Sequence, residues 1–544
     1  LTPMNRAYNH PDAVPAEEMN RRDFLKLCAV GALPGVLAAC QSVPSKPGVT
    51  TLLSPARSPS PTRQPSPTGA DWSELARSLQ GTLVRPDNPY YPTARQLFNP
   101  RFDSVQPAAI AYCVSPTDVQ TCLAFAQRYS IPLVPRAGGH SYAGYSTTTG
   151  LVLDVTRMSG VTVDAGTRTA IVGAGTRLID VYAALAQHGM ALPAGSCPTV
   201  GIAGLTLGGG VGVLGRKFGL TCDNLLAAQV VVAEGRVLTC DASHDPNLFW
   251  ALRGGGGGNF GVVTSFTFRV HPVATLSLFT LRWPWDSAAA VIDAWQRWAP
   301  QAPDELWSNC LLQATRDQKS NPIVEVNGVY VGDVASLNSL LLTSRIDAAP
   351  TSRYVSGAGL FETMLVEANC YGKTVGECHL PSQDPQGQLP RAAYSSKSDY
   401  FTSPLPRKGI DNLVNAIARS QFSSTLGEGG IGLDAFGGAI NRVAANATAF
   451  VHRDALFSAQ YTANWNASDS ASSIAAKQTW LTDLWQSMRQ FASGAAYQNY
   501  IDPDLANWQQ AYYGANLSRL QHVKAAYDPR DLFHFAQSIP LMSV

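Results

Sequence analysis

The stretch "RAGGHSY", Arg136–Tyr142, runs two glycines straight into a histidine, a serine and a tyrosine. "PLVPR" (132–136) leads into it, short and apolar, and reads as a strand. A strand that empties into paired glycines lets backbone N–H groups approach a phosphate closely. Two more glycine runs, "LGGGVG" (207–212) and "RGGGGGNFG" (253–261), offer the same approach. Any one of the three is equally what a turn or a bulge needs. Two common phosphate-binding patterns are excluded. No "GK[ST]" follows any run, so none is a P-loop. "GAGTRL" (173–178) lacks the third glycine and the later acidic residue of a dinucleotide fingerprint.

Outward from this stretch the chain reads as α+β. "AIAYCV" (109–114) is a buried strand, and "SPTDVQTCLAFAQRYS" after it is a helix. Ser115 caps that helix, Pro116 takes its first position and Asp118 sits in its first turn. Val119, Cys122, Leu123 and Ala126 share one face. "GLVLDVTRM" (150–158) and "TAIVGAGTRL" (169–178) add strands, Thr176 is placed to cap a helix ending at Gly189, and a hairpin turns about Glu234–Gly235. After His271–Pro272 the glycine runs thin out, and strands such as "ALFSAQYTANW" mix with helices such as "NLVNAIARSQF".

Composition narrows the class. Apolar residues make up 45% and charged residues 15%, as in a globular enzyme. A net charge of +1 gives no reason to expect nucleic acid as a partner. No CxxC or Cys/His spacing suggests a metal. Cys113, Cys122, Cys222, Cys240 and Cys310 stand in apolar surroundings, as core residues do. Cys370 and Cys378 are close enough to pair as a disulfide in an exported protein, or to stay as two thiols.

The first 40 residues read as a targeting segment. Arg21 and Arg22 precede "FLK" and an uncharged stretch from Leu27 to Ala39, too short and too rich in Gly and Pro for a settled transmembrane helix. Charge followed by a short apolar run is an export signal, and the twin arginines resemble the Tat type, with Met19 a natural start. "LAAC" (37–40) resembles a lipobox, which makes Cys40 a lipid-anchored first mature residue; ordinary cleavage nearby is the alternative. Residues 41–70 hold 17 Pro, Ser or Thr and no acidic residue, a spacer that cannot bury enough surface to fold.

Several motifs in fixed order carry a resemblance. "PRAGGHSYAGYS", "GSCPTVGIAGLTLGGGVG", "GLTCDNL", "FWALRGGGGGNFGVVTSF", "AAYQNYIDPDL" and "YYGANLSRL…YDP…F…QSIP" span about 70–544. Together they resemble the berberine-bridge-enzyme-like group of the vanillyl-alcohol-oxidase and p-cresol methylhydroxylase flavoproteins. The resemblance implies a two-subdomain FAD-binding domain over 71–273. It also implies a substrate domain over 274–498, with an antiparallel sheet backed by helices, and a C-terminal segment, 499–544, that returns to the FAD domain.

It implies site residues as well. His140 and Cys197 would both bond covalently to FAD, the histidine at the 8α-methyl carbon and the cysteine at C6. Arg136, Gly138, Gly139, Ser141, Val200, Gly201, Gly204, Gly208, Gly209, Gly210, Gly258, Asn259, Gly261, Val262, Tyr513 and Asn516 would line the cofactor. Tyr500, the second tyrosine of "YQNY", would take the hydroxyl proton as hydride leaves for flavin N5, with Tyr142 in support. Free tyrosine has a pKa near ~10, so neighbours would have to lower it by about three units. Gln460, Tyr461 and Tyr497 would face the substrate. Val200, three residues after the flavin cysteine, implies use of O2 and release of hydrogen peroxide.

Two departures limit the analogy. Leu205 stands where plant relatives carry a histidine, so their cyclisation chemistries are not implied. Asp531 replaces a common asparagine, with an effect expected only on local capping. The implied activity is oxidation of a carbinol, foremost a sugar or oligosaccharide anomeric hydroxyl. A secondary-metabolite alcohol is the alternative substrate, and an inactive surface binding protein is the reading from another class.

Overall fold

The computed structural model describes residues 66–315 and 317–542. The segment expected to be an export signal, Cys40 and residues 41–65 of the expected spacer lie outside the described residues. The Thr68 hydroxyl caps the helix Gly69–Ser78.

Three sheets position the site. The first has four strands in the order Thr82–Val84, Ala109–Tyr112, Leu151–Asp154, Leu133–Arg136. Its last three run parallel, which requires a crossover, and the helix Pro116–Tyr129 supplies it. Ser115 Oγ accepts from Asp118 N at 3.3 Å, and Val119, Cys122, Leu123 and Ala126 are buried. Each buried leucine or valine side chain there contributes about 1.5–3 kcal/mol. The strand Leu133–Arg136 then ends at the "AGGHS" turn, so this core aims the histidine.

The second sheet is antiparallel, ordered Val161–Asp164, Thr169–Gly173, Val262–Arg269, Leu225–Val231, Val237–Asp241. The hairpin turns at Gly235, with φ +82°. The strand read as 169–178 stops at Gly173, and Thr176 does not cap the next helix. Its hydroxyl is engaged with Gly160 and Gly173 instead, so Arg177 precedes the helix Leu178–Ala186 without a side-chain cap.

The third sheet has seven antiparallel strands, ordered Ser352–Ala358, Leu276–Trp283, Ile323–Tyr330, Leu306–Ala314, Gly429–Ala435, Phe457–Trp465, Ala393–Phe401. The helices Ala288–Trp298, Arg407–Gln421 and Ala471–Met488 cover one face, burying Trp295, Ile417, Trp480 and Leu484. The other face looks into the cleft. The sulfurs of Cys370 and Cys378 are joined in a disulfide, and Cys113, Cys122, Cys222, Cys240 and Cys310 are buried.

The C-terminal helices Trp508–Tyr513 and Leu517–Tyr527 pack into the core shared with the first two sheets, through Ala511, Tyr512, Leu520 and Val523. Lys524 locks this return. It is fully buried, and its Nζ donates to Asp528 Oδ2 (2.7 Å), Asn259 O (3.0 Å) and Phe533 O (2.7 Å). Asp531 does more than cap: it holds a left-handed conformation, φ +54°, with Oδ1 3.0 Å from the same ammonium. Lys524→Met would leave Asp528 buried and uncompensated. We expect it to cost about 3–5 kcal/mol, read as a lower urea midpoint with an unchanged slope.

Candidate active site

A cleft of about 1370 Å³ separates the glycine loops from the seven-stranded sheet. That exceeds the ~300–1,000 Å³ that houses one drug-sized ligand, so it has room for a dinucleotide and a substrate. Arg136, Gly138, Gly139, His140, Ser141, Tyr142, Val200, Gly201, Gly204, Gly258, Asn259, Gly261, Val262 and Tyr513 all line it. Cys197, Tyr497, Tyr500 and Gln460 do too.

The loops carrying His140 and Cys197 meet at a glycine pair. A Cβ on Gly138 would stand 2.2 Å from Gly201 N, and one on Gly201 would stand 2.4 Å from Gly138 N. These two glycines therefore serve loop against loop, a closer constraint than approach to a phosphate. Around them His140 stacks on Phe98 at 4.1 Å, and its Nε2 lies 2.9 Å from Thr199 Oγ1. Burial, then the charge of Arg177, lowers its pKa to about 3, so the imidazole is neutral. Cys197 opens into the cleft, with Sγ 3.9 Å from the same Thr199 hydroxyl. Enclosure by protein raises its thiol pKa, and hydrogen bonds from Thr199 and Val200 oppose the rise. Thr199 thus joins both nucleophiles. It stands two residues after the cysteine in "SCPT", a position sequence reading passed over.

The tyrosines form an aromatic wall. Tyr142 stacks on Tyr500 at 5.3 Å and meets Tyr394 edge-on at 5.0 Å. Tyr142 Oη accepts from Gln460 Nε2 at 3.1 Å. Tyr497 Oη accepts from Gly210 N (3.0 Å), Val211 N (3.2 Å) and Asn499 Nδ2 (2.9 Å). Tyr497 thus lines the cleft while its hydroxyl oxygen holds the Gly210–Val211 loop, a second role beside the substrate-facing one expected of it. Burial raises Tyr500 well above the ordinary tyrosine value, and Tyr142, Asp434, Tyr497 and Tyr400 push the same way. The expected lowering by about three units is therefore not supplied by these neighbours.

Three further assignments change. Tyr461 does not face the cleft. Side chains alternate along Phe457–Trp465, so Gln460 points in while Tyr461 is buried under the helices, near Asp399. Gly208, Gly209 and Gly210 do not line the cleft; a Cβ on Gly208 would stand 2.0 Å from Asn499 Oδ1, and one on Gly209 2.7 Å from the Phe450 ring. Asn516 is also outside the lining, its Nδ2 donating to the carbonyls of Ala445, Thr448 and Ala449.

Asp434 is the residue sequence reading missed on the substrate side. It faces the cleft from Gly429–Ala435, and Asn309 Nδ2 donates to its Oδ1 at 2.5 Å. Burial raises its pKa to about 6 against that hydrogen bond. Its signal was strand alternation, which needs a register that a glycine-rich "GEGGIGLDAF" does not fix.

The residues present fit a flavin dinucleotide. Arg136 is 5% exposed, with Nε on Asp154 at 2.6 Å, yet its Nη1 has no partner among the described residues. That is a donor suited to an anion. A Cβ on Gly204, in the short helix Ile202–Leu207, would meet nothing within 4 Å, which leaves that face of the helix open to the cleft.

Comparison with known proteins agrees with this geometry. Residues 107–241 match the family described as FAD binding domain, and 496–540 that described as berberine and berberine like. The uncharacterized FAD-linked oxidoreductase YgaK of Bacillus subtilis is 35% identical over 467 residues, covering 85% of this chain and 97% of its own. Among solved structures, Physcomitrella patens BBE-like 1 superposes with a TM-score of 0.79 at 34% identity, over 87% of this chain and 99% of its own. Phl p 4, a grass pollen allergen with glucose dehydrogenase activity, gives 0.76 at 27%, over 87% and 99%. An isoleucine-to-valine variant of it, described as a glucose oxidase, gives 0.75 at 28%, over 85% and 97%. This chain therefore belongs to the berberine-bridge-enzyme-like FAD-linked oxidoreductases, with the p-cresol methylhydroxylase type of α+β fold.

Proposed function

We propose that this oxidoreductase holds its FAD by two covalent bonds, at His140 and Cys197, and oxidises a carbinol, foremost the anomeric hydroxyl of a sugar or oligosaccharide, with O2 as acceptor. The observation that carries the reading is the pair of nucleophiles sharing Thr199 in a cleft whose opposite wall is polar. FAD held there would supply the acceptor for the substrate's hydride and a route for the two electrons to O2, giving hydrogen peroxide.

The chain's own groups do the rest. In the tautomer whose Nε2–H donates to the Thr199 hydroxyl, Nδ1 keeps the lone pair of the neutral ring and is the nucleophilic atom. Cys197 must reach the thiolate to bond; burial opposes that form, and the hydrogen bonds from Thr199 and Val200 offset part of the cost. Tyr500 and Asp434 flank the substrate end, and Asp434 is the final acceptor of the hydroxyl proton: the Tyr500 phenol takes it as it gives its own proton to the carboxylate. Gln460 fixes Tyr142 Oη, which orients the aromatic wall. Leu205, also in the lining, has no group that can carry a proton.

A cleft open enough for a sugar chain and a wall of Thr280, Asn309, Gln313, Asn327, Gln460 and Thr462 support a polyhydroxyl substrate. Anaerobic mixing with mono- and oligosaccharides should bleach the flavin, and air should restore it with peroxide release. Bleaching by small aromatic alcohols alone would move the assignment to secondary-metabolite alcohols. No bleaching by either class would favour an inactive binding protein.

Val200 lines the cleft three positions after Cys197. The glucose oxidase activity of the valine variant of Phl p 4 supports O2 use here. Val200→Leu should slow flavin reoxidation roughly tenfold or more while substrate reduction stays near its original rate, measured by stopped-flow. Export through the Arg21–Arg22 signal and a lipid at Cys40 complete the proposal, and mass spectrometry of the mature N-terminus tests them.

A further inference from the structure

The Cys370–Cys378 disulfide takes no part in the reaction, but it stands beside the cleft. Val366, Glu367, Ala368 and Asn369, just before it in the chain, line the cleft wall. Ala368, Cys370 and Cys378 pack on Ile179, fully buried in the helix Leu178–Ala186. The residue after Cys378 is His379, 5% exposed. Its Nδ1 lies 2.8 Å from Val375 O. Its Nε2 lies 3.1 Å from Asp180 Oδ2, in the first turn of that same helix.

A carbonyl oxygen and a carboxylate oxygen only accept hydrogen bonds. Both contacts are hydrogen bonds together only when both ring nitrogens carry protons, so His379 is an imidazolium here. The charged groups facing it are Asp180 on the helix and Asp384 on the loop that follows. Burial opposes the charge, but the bond and charge of Asp180, the Val375 carbonyl and Asp384 outweigh it and raise the pKa. His379 thus ties the disulfide segment to the helix by a charge-assisted bond.

The helix passes that position on. It has no side-chain cap, and its first amides find partners elsewhere. Leu178 N donates to Val200 O at 3.0 Å, and Ile179 N to Pro198 O at 3.2 Å. Both carbonyls belong to the loop that carries Cys197. The cysteine loop is therefore the cap of this helix, and it moves with the helix end.

We propose that His379 is a positioning residue for the bond between Cys197 and the flavin. Held by the disulfide, its imidazolium pins Asp180, and the amides of Leu178 and Ile179 fix the Cys197 loop in turn. This role rests on the covalent attachment of Cys197 proposed above; the charge on His379 does not. Forming that bond removes the thiol proton, the proton at flavin C6 and two electrons, which O2 takes up as hydrogen peroxide. His379 enters none of these transfers. The pin is complete below the ordinary histidine value of ~6.5 and is lost as pH rises through the raised pKa.

Full-length protein carrying His140→Ala keeps Cys197 as its single tether, and acid precipitation measures that bond alone. Adding Asp180→Asn or His379→Gln should slow attachment roughly 2- to 30-fold, read as the flavin retained in the pellet with time after purification. The same two substitutions placed on Cys197→Ala should leave the His140 bond complete. Equal loss in both backgrounds would mean general loosening and overturns the proposal, as does full retention in both. In the unmodified protein, labelled with 15N-histidine, both His379 ring nitrogens should carry protons at pH 6; a neutral ring there overturns the proposal without recourse to a variant. Flavin released from the His140→Ala protein with Asp180 and His379 intact would defeat the Cys197 attachment itself, and the protonation of His379 would be read as before.

Discussion

Tyr500→Phe should slow reduction of the flavin by about 10²–10⁴-fold, the usual worth of a positioned proton acceptor, while the protein stays yellow. The ring is held on two sides, by Tyr142 at 5.3 Å and Tyr497 at 4.9 Å, so phenylalanine can keep the packing and lose only the hydroxyl. The physical difficulty is that Tyr500 is raised in pKa, not lowered. A phenol in that state cannot be the resting base at neutral pH. Asp434 can be, because its pKa of about 6 leaves it ionised at neutral pH. We therefore expect the reduction rate to climb with pH through about 6, since the ionised carboxylate is the competent form. Asp434→Asn should flatten that limb. Tyr500→Phe should lower the rate across the whole range without moving the limb. A Tyr500→Phe protein that reduces its flavin at the original rate would remove the phenol from the proton path and leave Asp434 as the acceptor.

Local signals were the legible ones. The helix Pro116–Tyr129 announces itself through a cap, a proline and one apolar face, and as a crossover it leaves the strands on either side of it parallel, with Leu151–Asp154 paired between them. His140 and Cys197 were legible because each sits in a short motif with a fixed place in the order. The misses have two physical sources. Tyr461 and Gln460 are adjacent, and only the register of the strand decides which one faces the cleft. Asp434 comes from a strand that none of the motifs includes. The other source is glycine. Gly138, Gly201 and Gly208 look like phosphate loops in sequence, yet each is required by another part of the chain pressing on it. Composition distinguishes neither case, because both demand the absence of a Cβ.

Removing the two nucleophiles one at a time should separate what each holds. After acid precipitation the unmodified protein should keep its flavin in the pellet. His140→Ala and Cys197→Ala should each keep it too, through the remaining bond, and the double variant should release nearly all of it. The single variants should differ in stability of attachment before denaturation. His140 is clamped by Phe98 and Thr199, so its ring is already oriented and loses little freedom on bonding. Cys197 is open to the cleft, held by the Thr199 hydroxyl at 3.9 Å and by weak sulfur contacts from the Thr199 and Val200 backbone, so its bond forms from a looser start. Thr199→Val tests this directly. It removes the hydroxyl that both groups share while keeping a β-branched side chain in its buried position. It should slow attachment at both sites, seen as a mixture of singly linked and free flavin in freshly made protein. Loss at one site alone would assign Thr199 to that nucleophile. Full double attachment in the Thr199→Val protein would show that the shared hydroxyl is incidental. Flavin released by acid from the unmodified protein would end the covalent proposal, while leaving the FAD-linked oxidoreductase fold and family as they stand.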